Sequence, residues 1–170
     1  MKEKSVVFIF IGALLLSFSY GAFFLLPLFI EHLGGAQDAT GFLLGVTGIG
    51  TIFAVIVSKL MLKKMKSNLV TVIGCISYTV GILLFVFVVH SMGLKIILAS
   101  LLLGIGWGFY YNSAPYSLSL FANNTNRSVF FSYLSAFSVL GSGVAPVATH
   151  FFGRTKWIFN IYFLLRVLQV

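Results

Sequence analysis

The chain has 170 residues, of which 59% are hydrophobic and only 8% are charged, and its formal net charge at pH 7 is +8. A chain of this length cannot bury so much apolar surface in a water-soluble core, so this composition excludes a soluble domain. In a soluble protein the basic excess would indicate nucleic-acid binding. Here the Lys and Arg residues stand between long apolar runs, so we expect the lipid bilayer, and no nucleic acid, as a partner.

Long uncharged runs predict membrane-spanning helices, since about 18–20 apolar residues cross a bilayer core of about 30 Å. Short polar and charged stretches divide the chain into about six apolar segments. This pattern predicts an all-α polytopic membrane helix bundle. The predicted segments are residues 5–30, 40–58, 69–89, 94–120, 128–152 and 157–170. The last would span only about 21 Å at 1.5 Å per residue. We therefore expect a sixth helix that is either partial or truncated.

The distribution of basic residues predicts the orientation of these segments, because cytoplasmic loops are enriched in Lys and Arg. A cytoplasmic N-terminus places most of the basic residues inside: Lys2, Lys4, Lys59, Lys63, Lys64, Lys66, Arg127 and Arg166. It leaves three outside: Lys95, Arg154 and Lys156. We therefore expect a multi-pass plasma-membrane protein with its N-terminus in the cytoplasm. The first apolar run is too long for a signal peptide, so it is expected to be a retained helix.

A self-comparison at an offset of 88 residues indicates an internal repeat. Three pairs align at equivalent helix positions: Pro27 with Pro115, Thr40 with Ser128, and Lys66 with Arg154. Because each unit would hold an odd number of spans, the second must be inverted relative to the first, as in many secondary transporters. We expect two inverted three-helix repeats at about 1–89 and 90–170, the second incomplete. The alignment has few identities, so chance similarity is the alternative.

Small side chains mark two faces of the predicted fifth helix, and such residues allow close helix packing in lipid. One face carries Ser128, Ser132, Ser135, Ser138 and Ser142, and the other carries Gly141, Ala145, Thr149 and Gly153. We expect the serine face to look into this bundle. The glycine face is expected to pack on a helix outside this chain. Generic helix packing is the simpler explanation for most of these residues.

Three stretches of the chain carry weakened forms of motifs that occur together in one known protein family. The passage from Pro27 to Gly45 resembles the link between helices 1 and 2 of that family. The stretch 58–67 resembles its basic helix 2–helix 3 link, G-x-x-x-D-R-x-G-R-[RK], although Leu62 replaces the acidic residue. The stretch 141–149 resembles the helix 5 motif G-x-x-x-G-P-x-x-G of proton-coupled exporters, with Pro146 retained and Ala145 and Thr149 in place of glycines. That family is the major facilitator superfamily, and the whole chain therefore resembles the N-terminal half of one of its transporters.

This resemblance implies a single transmembrane domain over residues 1–170 that moves a small-molecule substrate by alternating access. It implies an exporter of small amphipathic compounds, with a C-terminal half or a second copy as a further partner. The substrate cavity would be lined mainly by helices 1 and 4, with 2 and 5 contributing. Candidate cavity residues are Tyr20, Tyr110, Tyr111, Asn112 and Ser135. Ordinary interhelical packing is the alternative role for them.

Ionisable residues inside the predicted spans are almost absent, although such residues commonly mark transport sites. Ser100 stands four residues before Gly104, where many proton-coupled exporters of this family carry an arginine. The histidines do not have the spacing of metal ligands, and the sequence has no arrangement of residues typical of a catalytic site. We therefore expect that the chain binds no cofactor and is not an enzyme. A nutrient importer or uniporter of the same fold therefore stays open. A non-transporting membrane protein, such as an immunity or assembly factor, stays open as well.

Overall fold

The computed structural model describes residues 2–27, 31, 37–87, 93–123 and 125–154, and the secondary structure in these ranges is helical. The helices are α1 (Lys2–Ala22), α2 (Gln37–Leu62), α3 (Ser67–Phe87), α4 (Leu94–Ser119) and α5 (Arg127–Arg154). A 3₁₀ turn, Phe23–Leu25, follows α1. The predicted all-α class is confirmed. The predicted segment 157–170 lies outside the described residues, so the count of six helices stays a prediction.

The helices have the length and composition of membrane spans. Four stretches are long and apolar enough to cross a bilayer: Asp38–Leu62, Ser67–Phe85, Leu94–Ser119 and Arg127–Ala148. The described part of α1 adds the shorter apolar stretch Val6–Gly21. On α2, large apolar side chains at helical spacing are exposed, namely Ile49, Ile52, Ile56 and Leu60. Such a stripe suits lipid contact, and the chain is a multi-pass membrane protein.

Two helix boundaries differ from the predicted ones. The regular part of α1 ends at Ala22, short of the predicted end at residue 30, and residues 28–30 lie outside the described part of the chain. In a regular α-helix the ring of Pro27 would clash with the carbonyl of Phe23, and the 3₁₀ turn begins at Phe23. Helix α2 extends past the predicted end at Ser58 to Leu62, since the exposed Lys59 side chain can follow the helix surface out of the apolar region.

Helix α4 packs between α2 and α3 along most of its length. Glycines on α4 permit this approach, because a Cβ on Gly104 would collide with the Thr47 carbonyl oxygen of α2. A Cβ on Gly106 would lie 2.5 Å from the backbone nitrogen of Tyr78 on α3. Hydroxyl groups add cross-links: Thr51 Oγ1 donates to Gly104 O at 3.1 Å, and Ser77 Oγ donates to Leu102 O at 3.0 Å.

Helices α1 and α5 form a second close pair, and both touch α4 over a much smaller surface. A Cβ on Gly141 would collide with Leu14 O and lie 2.9 Å from the backbone nitrogen of Phe18. A Cβ on Gly21 would lie 2.8 Å from the Cβ of Ala145. The expectation that the Gly141 face packs outside this chain is therefore wrong. Helix α1 fills it, because Gly21 has no Cβ and so lets the two backbones approach closely.

The serine face of α5 also lies differently from the expectation. Ser128, Ser132 and Ser135 are exposed, and Ser138 and Ser142 are half-buried. The prediction that this face looks into the bundle is wrong, since α5 uses the Gly141 face for its main contact. The Ser142 hydroxyl forms its hydrogen bond within α5, donating to Ser138 O at 3.1 Å.

The packing register shows which helix ends lie together. Leu43 and Ile96 share a buried cluster near the starts of α2 and α4, and Asn112 contacts Ser58 near their ends, so these helices run parallel. Thr71 bonds Ser113 at 2.8 Å, so α3 runs antiparallel to α4. A short link joins α4 to α5. The α2–α3 turn, the end of α4 and the start of α5 therefore lie at one end of the bundle, here called the basic end.

Candidate substrate-binding surface

Aromatic side chains meet where α1 approaches α4. Tyr20 stacks on Trp107, with ring centroids 4.1 Å apart and planes 11° from parallel. Tyr111 follows Trp107 by one helical turn on the same face of α4, and its ring centroid lies 6.4 Å from that of Trp107. We call Tyr20, Trp107 and Tyr111 the aromatic platform.

The exposed member of the platform is Tyr111, which is 64% exposed. It lies roughly 7 Å from the midpoint of α4 at 1.5 Å per residue, within the depth of the hydrocarbon core. A phenol ring has one apolar body and one hydroxyl that needs a polar partner or water at this depth. The ring face can stack on a planar ligand, and the hydroxyl can hydrogen-bond a polar group beside it.

The ring centroid of Tyr110 lies 6.0 Å from that of Trp107. Unlike Tyr111, Tyr110 packs into the interface, here called the joint, where α1, α4 and α5 meet. It is 7% exposed, and its buried neighbours are Ala13, Ala114, Leu118 and Leu134. Its hydroxyl has no hydrogen-bond partner among the described residues, and the same is true of the buried Ser17 hydroxyl. The platform therefore borders a joint that holds two unpaired hydroxyl groups.

Two predicted cavity residues lie away from the platform. Asn112 Nδ2 donates to Ser58 Oγ at 2.7 Å, which holds this side chain against α2. Adjacent residues on a helix point about 100° apart, so Tyr111 and Asn112 cannot share a face. Ser135 lies on the exposed serine face of α5. The structure thus gathers Tyr20, Tyr110 and Tyr111 around Trp107 and separates Asn112 and Ser135 from them.

Trp107, the centre of this arrangement, is absent from the candidates that the sequence suggested. Its spacing of four residues before Tyr111 was a usable signal, because residues four apart share one helix face. Tryptophan is also the aromatic side chain with the largest stacking surface. The pairing with Tyr20 was not visible from spacing, since it depends on how α1 lies against α4.

The described spans carry charged side chains only near their ends. At the position where related exporters carry an arginine, Ser100 is fully buried and its hydroxyl has no described partner. In the helix 5 motif, Ala145 is buried against α1 and Pro146 lies inside α5. The side chains of Thr149 and His150 lie outside the described residues, so the role predicted for Thr149 stays a prediction.

Comparison with known proteins gives one finding. Residues 2–164 match the sequence profile of the Major Facilitator Superfamily. Searches of curated proteins and of solved structures gave no match.

Proposed function

The chain belongs to the Major Facilitator Superfamily, and from this premise we propose that it acts in the export of small amphipathic compounds, with the aromatic platform as its substrate contact. Membership of this family indicates a membrane transporter. The observation that carries the finer proposal is Tyr111, an exposed phenol ring at hydrocarbon depth beside the stacked pair of Tyr20 and Trp107. Tyr110 lies beside the platform, where α1, α4 and α5 meet, whereas the predicted contact of Ser135 with substrate gains no support from its place on the exposed face of α5.

The chemistry of the platform favours one substrate class. Three aromatic rings offer stacking surface and, for a cationic compound, the negative face of a π system. The described part of the spans places no carboxylate and no basic group beside these rings. A sugar or a zwitterionic nutrient, which needs several hydrogen bonds or ion pairs, finds few here. Compounds with a planar apolar body and one polar or cationic group fit best.

The direction of transport rests on the helix 5 motif, which resembles that of proton-coupled exporters. Pro146 lies within α5, where α5 packs closely against α1 through Gly141 and Ala145. One observation favours the alternative of an importer or uniporter. Ser100 replaces the arginine of exporters and is buried, so the described spans offer no basic group for proton coupling.

The packing supports the proposed repeat. Gly21 packs on Ser142 and Ala145. The residues 88 positions away from these three are Phe109, Ala54 and Val57, and they pack together in one cluster between α2 and α4. The α1–α5 pair thus matches the α4–α2 pair at the same offset.

In our proposal this half acts with a second six-helix half or a second copy, in the plasma membrane, with the basic end in the cytoplasm.

Ethidium, a planar aromatic cation, tests the platform. We expect the purified full chain to bind ethidium, and Tyr111→Ala to weaken that binding roughly five- to tenfold through loss of about 1–1.4 kcal/mol of ring contact. Tyr116→Ala is the matched control, because Tyr116 is also exposed on α4 but lies off the platform. Equal effects of the two substitutions, or binding of glucose and not ethidium, would reject the proposed site.

A further inference from the structure

The α2–α3 turn presents a cluster of lysines to solvent. Lys59, Lys63, Lys64 and Lys66 are all exposed. The turn closes through its own backbone, since Lys64 N donates to Met61 O at 2.9 Å and Met65 N donates to the same oxygen at 2.8 Å. The ammonium groups are therefore not needed to form the turn, and they are free to meet a partner outside the protein.

The acidic side chains that the structure describes do not neutralise this cluster. Glu31 and Asp38 lie at the opposite end of the bundle, near the start of α2. Glu3 lies in the first turn of α1, at the basic end, and Lys2 and Lys4 flank it in the sequence. Leu62, which stands where related proteins carry an acidic residue in this link, packs into the apolar cluster of Ala54, Val70 and Phe109. An anion that pairs with these lysines must come from outside the turn.

The turn also carries apolar side chains that place it at the membrane boundary. Leu60 and Met65 are exposed between the lysines. An apolar side chain is favourable in the hydrocarbon, whereas a lysine extends its stem toward the headgroups, so alternation of the two suits the interface. Arg127, exposed at the start of α5, adds a positive charge at the same end of the bundle.

We propose that the α2–α3 turn binds the phosphate headgroup of an anionic phospholipid in the leaflet at the basic end. Clustered basic residues beside a membrane-spanning helix attract anionic lipids, and an ammonium group donates strong hydrogen bonds to phosphate oxygens. The lysines lie in one short turn with apolar contacts beside them, which selects a lipid over a soluble anion.

Lipid titration of the full chain in a neutral detergent tests this proposal. Native mass spectrometry would count bound phosphatidylglycerol and phosphatidylcholine. The natural chain is expected to prefer phosphatidylglycerol, and K63Q/K64Q to weaken that binding at least tenfold. The matched control is K95Q/R154Q, which removes two charges at the opposite end and should retain the preference. The K63Q/K64Q variant should stay folded, because the turn closes through its backbone.

Several results would overturn the proposal. An absence of preference for phosphatidylglycerol in the natural chain would do so, and so would equal losses in the two variants. Displacement of the lipid by inorganic phosphate would show a general anion site and no lipid site. High salt should weaken the preference, since exposed charges are screened beyond about 10 Å at 0.1 M salt and beyond about 3 Å at 1 M.

Discussion

The indole ring of Trp107 on α4 stacks on the phenol ring of Tyr20 on α1, with centroids 4.1 Å apart. This contact joins two groups of helices that otherwise touch little: α1 with α5, and α4 with α2 and α3. Trp107 therefore has two roles in our account. It couples the two helix groups, and it supports the exposed ring of Tyr111.

Replacement of Trp107 should separate these roles. We expect Trp107→Ala to lower the free energy of unfolding by about 1–2 kcal/mol, because a stacked aromatic pair is lost together with apolar contact. Trp107→Phe keeps a ring in the stack and should cost less than half as much. Unfolding of detergent-solubilised protein by a denaturing detergent measures both. A Phe variant as unstable as the Ala variant would contradict a stacking role.

Gly141 provides a stability test of the α1–α5 contact. Gly141→Leu should lower the free energy of unfolding by about 1–3 kcal/mol, because the new side chain meets the backbone of Leu14 and Phe18. Gly143→Leu is the matched control, since a Cβ at Gly143 has open space around it. Both substitutions add the same helix propensity. If Gly143→Leu is as harmful as Gly141→Leu, the close approach of α1 and α5 is not what limits this position.

Asn112 should behave as a structural residue. We expect Asn112→Leu to cost about 0.6–1.7 kcal/mol of stability, the range for interhelical polar contacts in membranes, through loss of the bond to Ser58. Ethidium binding should not change. A double-mutant cycle with Ser58→Ala isolates the pair, and its two single costs should not add. Weaker ethidium binding at unchanged stability would instead place Asn112 in the substrate path.

The sequence was sufficient for the helical class and for the approximate position of the described spans. Uncharged length alone predicts them, because the bilayer leaves helices and closed barrels as the structures that can cross it. Exact ends were less accessible. A 3₁₀ turn ends α1 shortly before Pro27, whereas α4 continues through Pro115 and α5 through Pro146. Sequence shows each proline but not whether neighbouring helices compensate for the lost hydrogen bond.

Packing partners were the least predictable feature. The small residues around Gly141 indicated a close contact, but only the three-dimensional arrangement shows that α1 makes it. Adjacency in the sequence suggests that Asn112 and Tyr111 line the same cavity, although adjacent residues of a helix point in different directions. Trp107 needed both its spacing to Tyr111 and the unforeseen position of Tyr20. Spacing specifies a face of one helix, whereas a site needs the faces of two.

In the proposed transporter, Tyr111 should face a water-filled substrate path and not lipid. A cysteine-accessibility measurement in membranes tests it, with Cys75 replaced by serine as the background. Tyr111→Cys should react with a membrane-impermeant maleimide and be protected by ethidium. Ile52→Cys, at a similarly exposed position on the apolar stripe of α2, should remain unlabelled. If Tyr111→Cys is as unreactive as Ile52→Cys, the platform faces lipid and the proposed substrate contact is wrong.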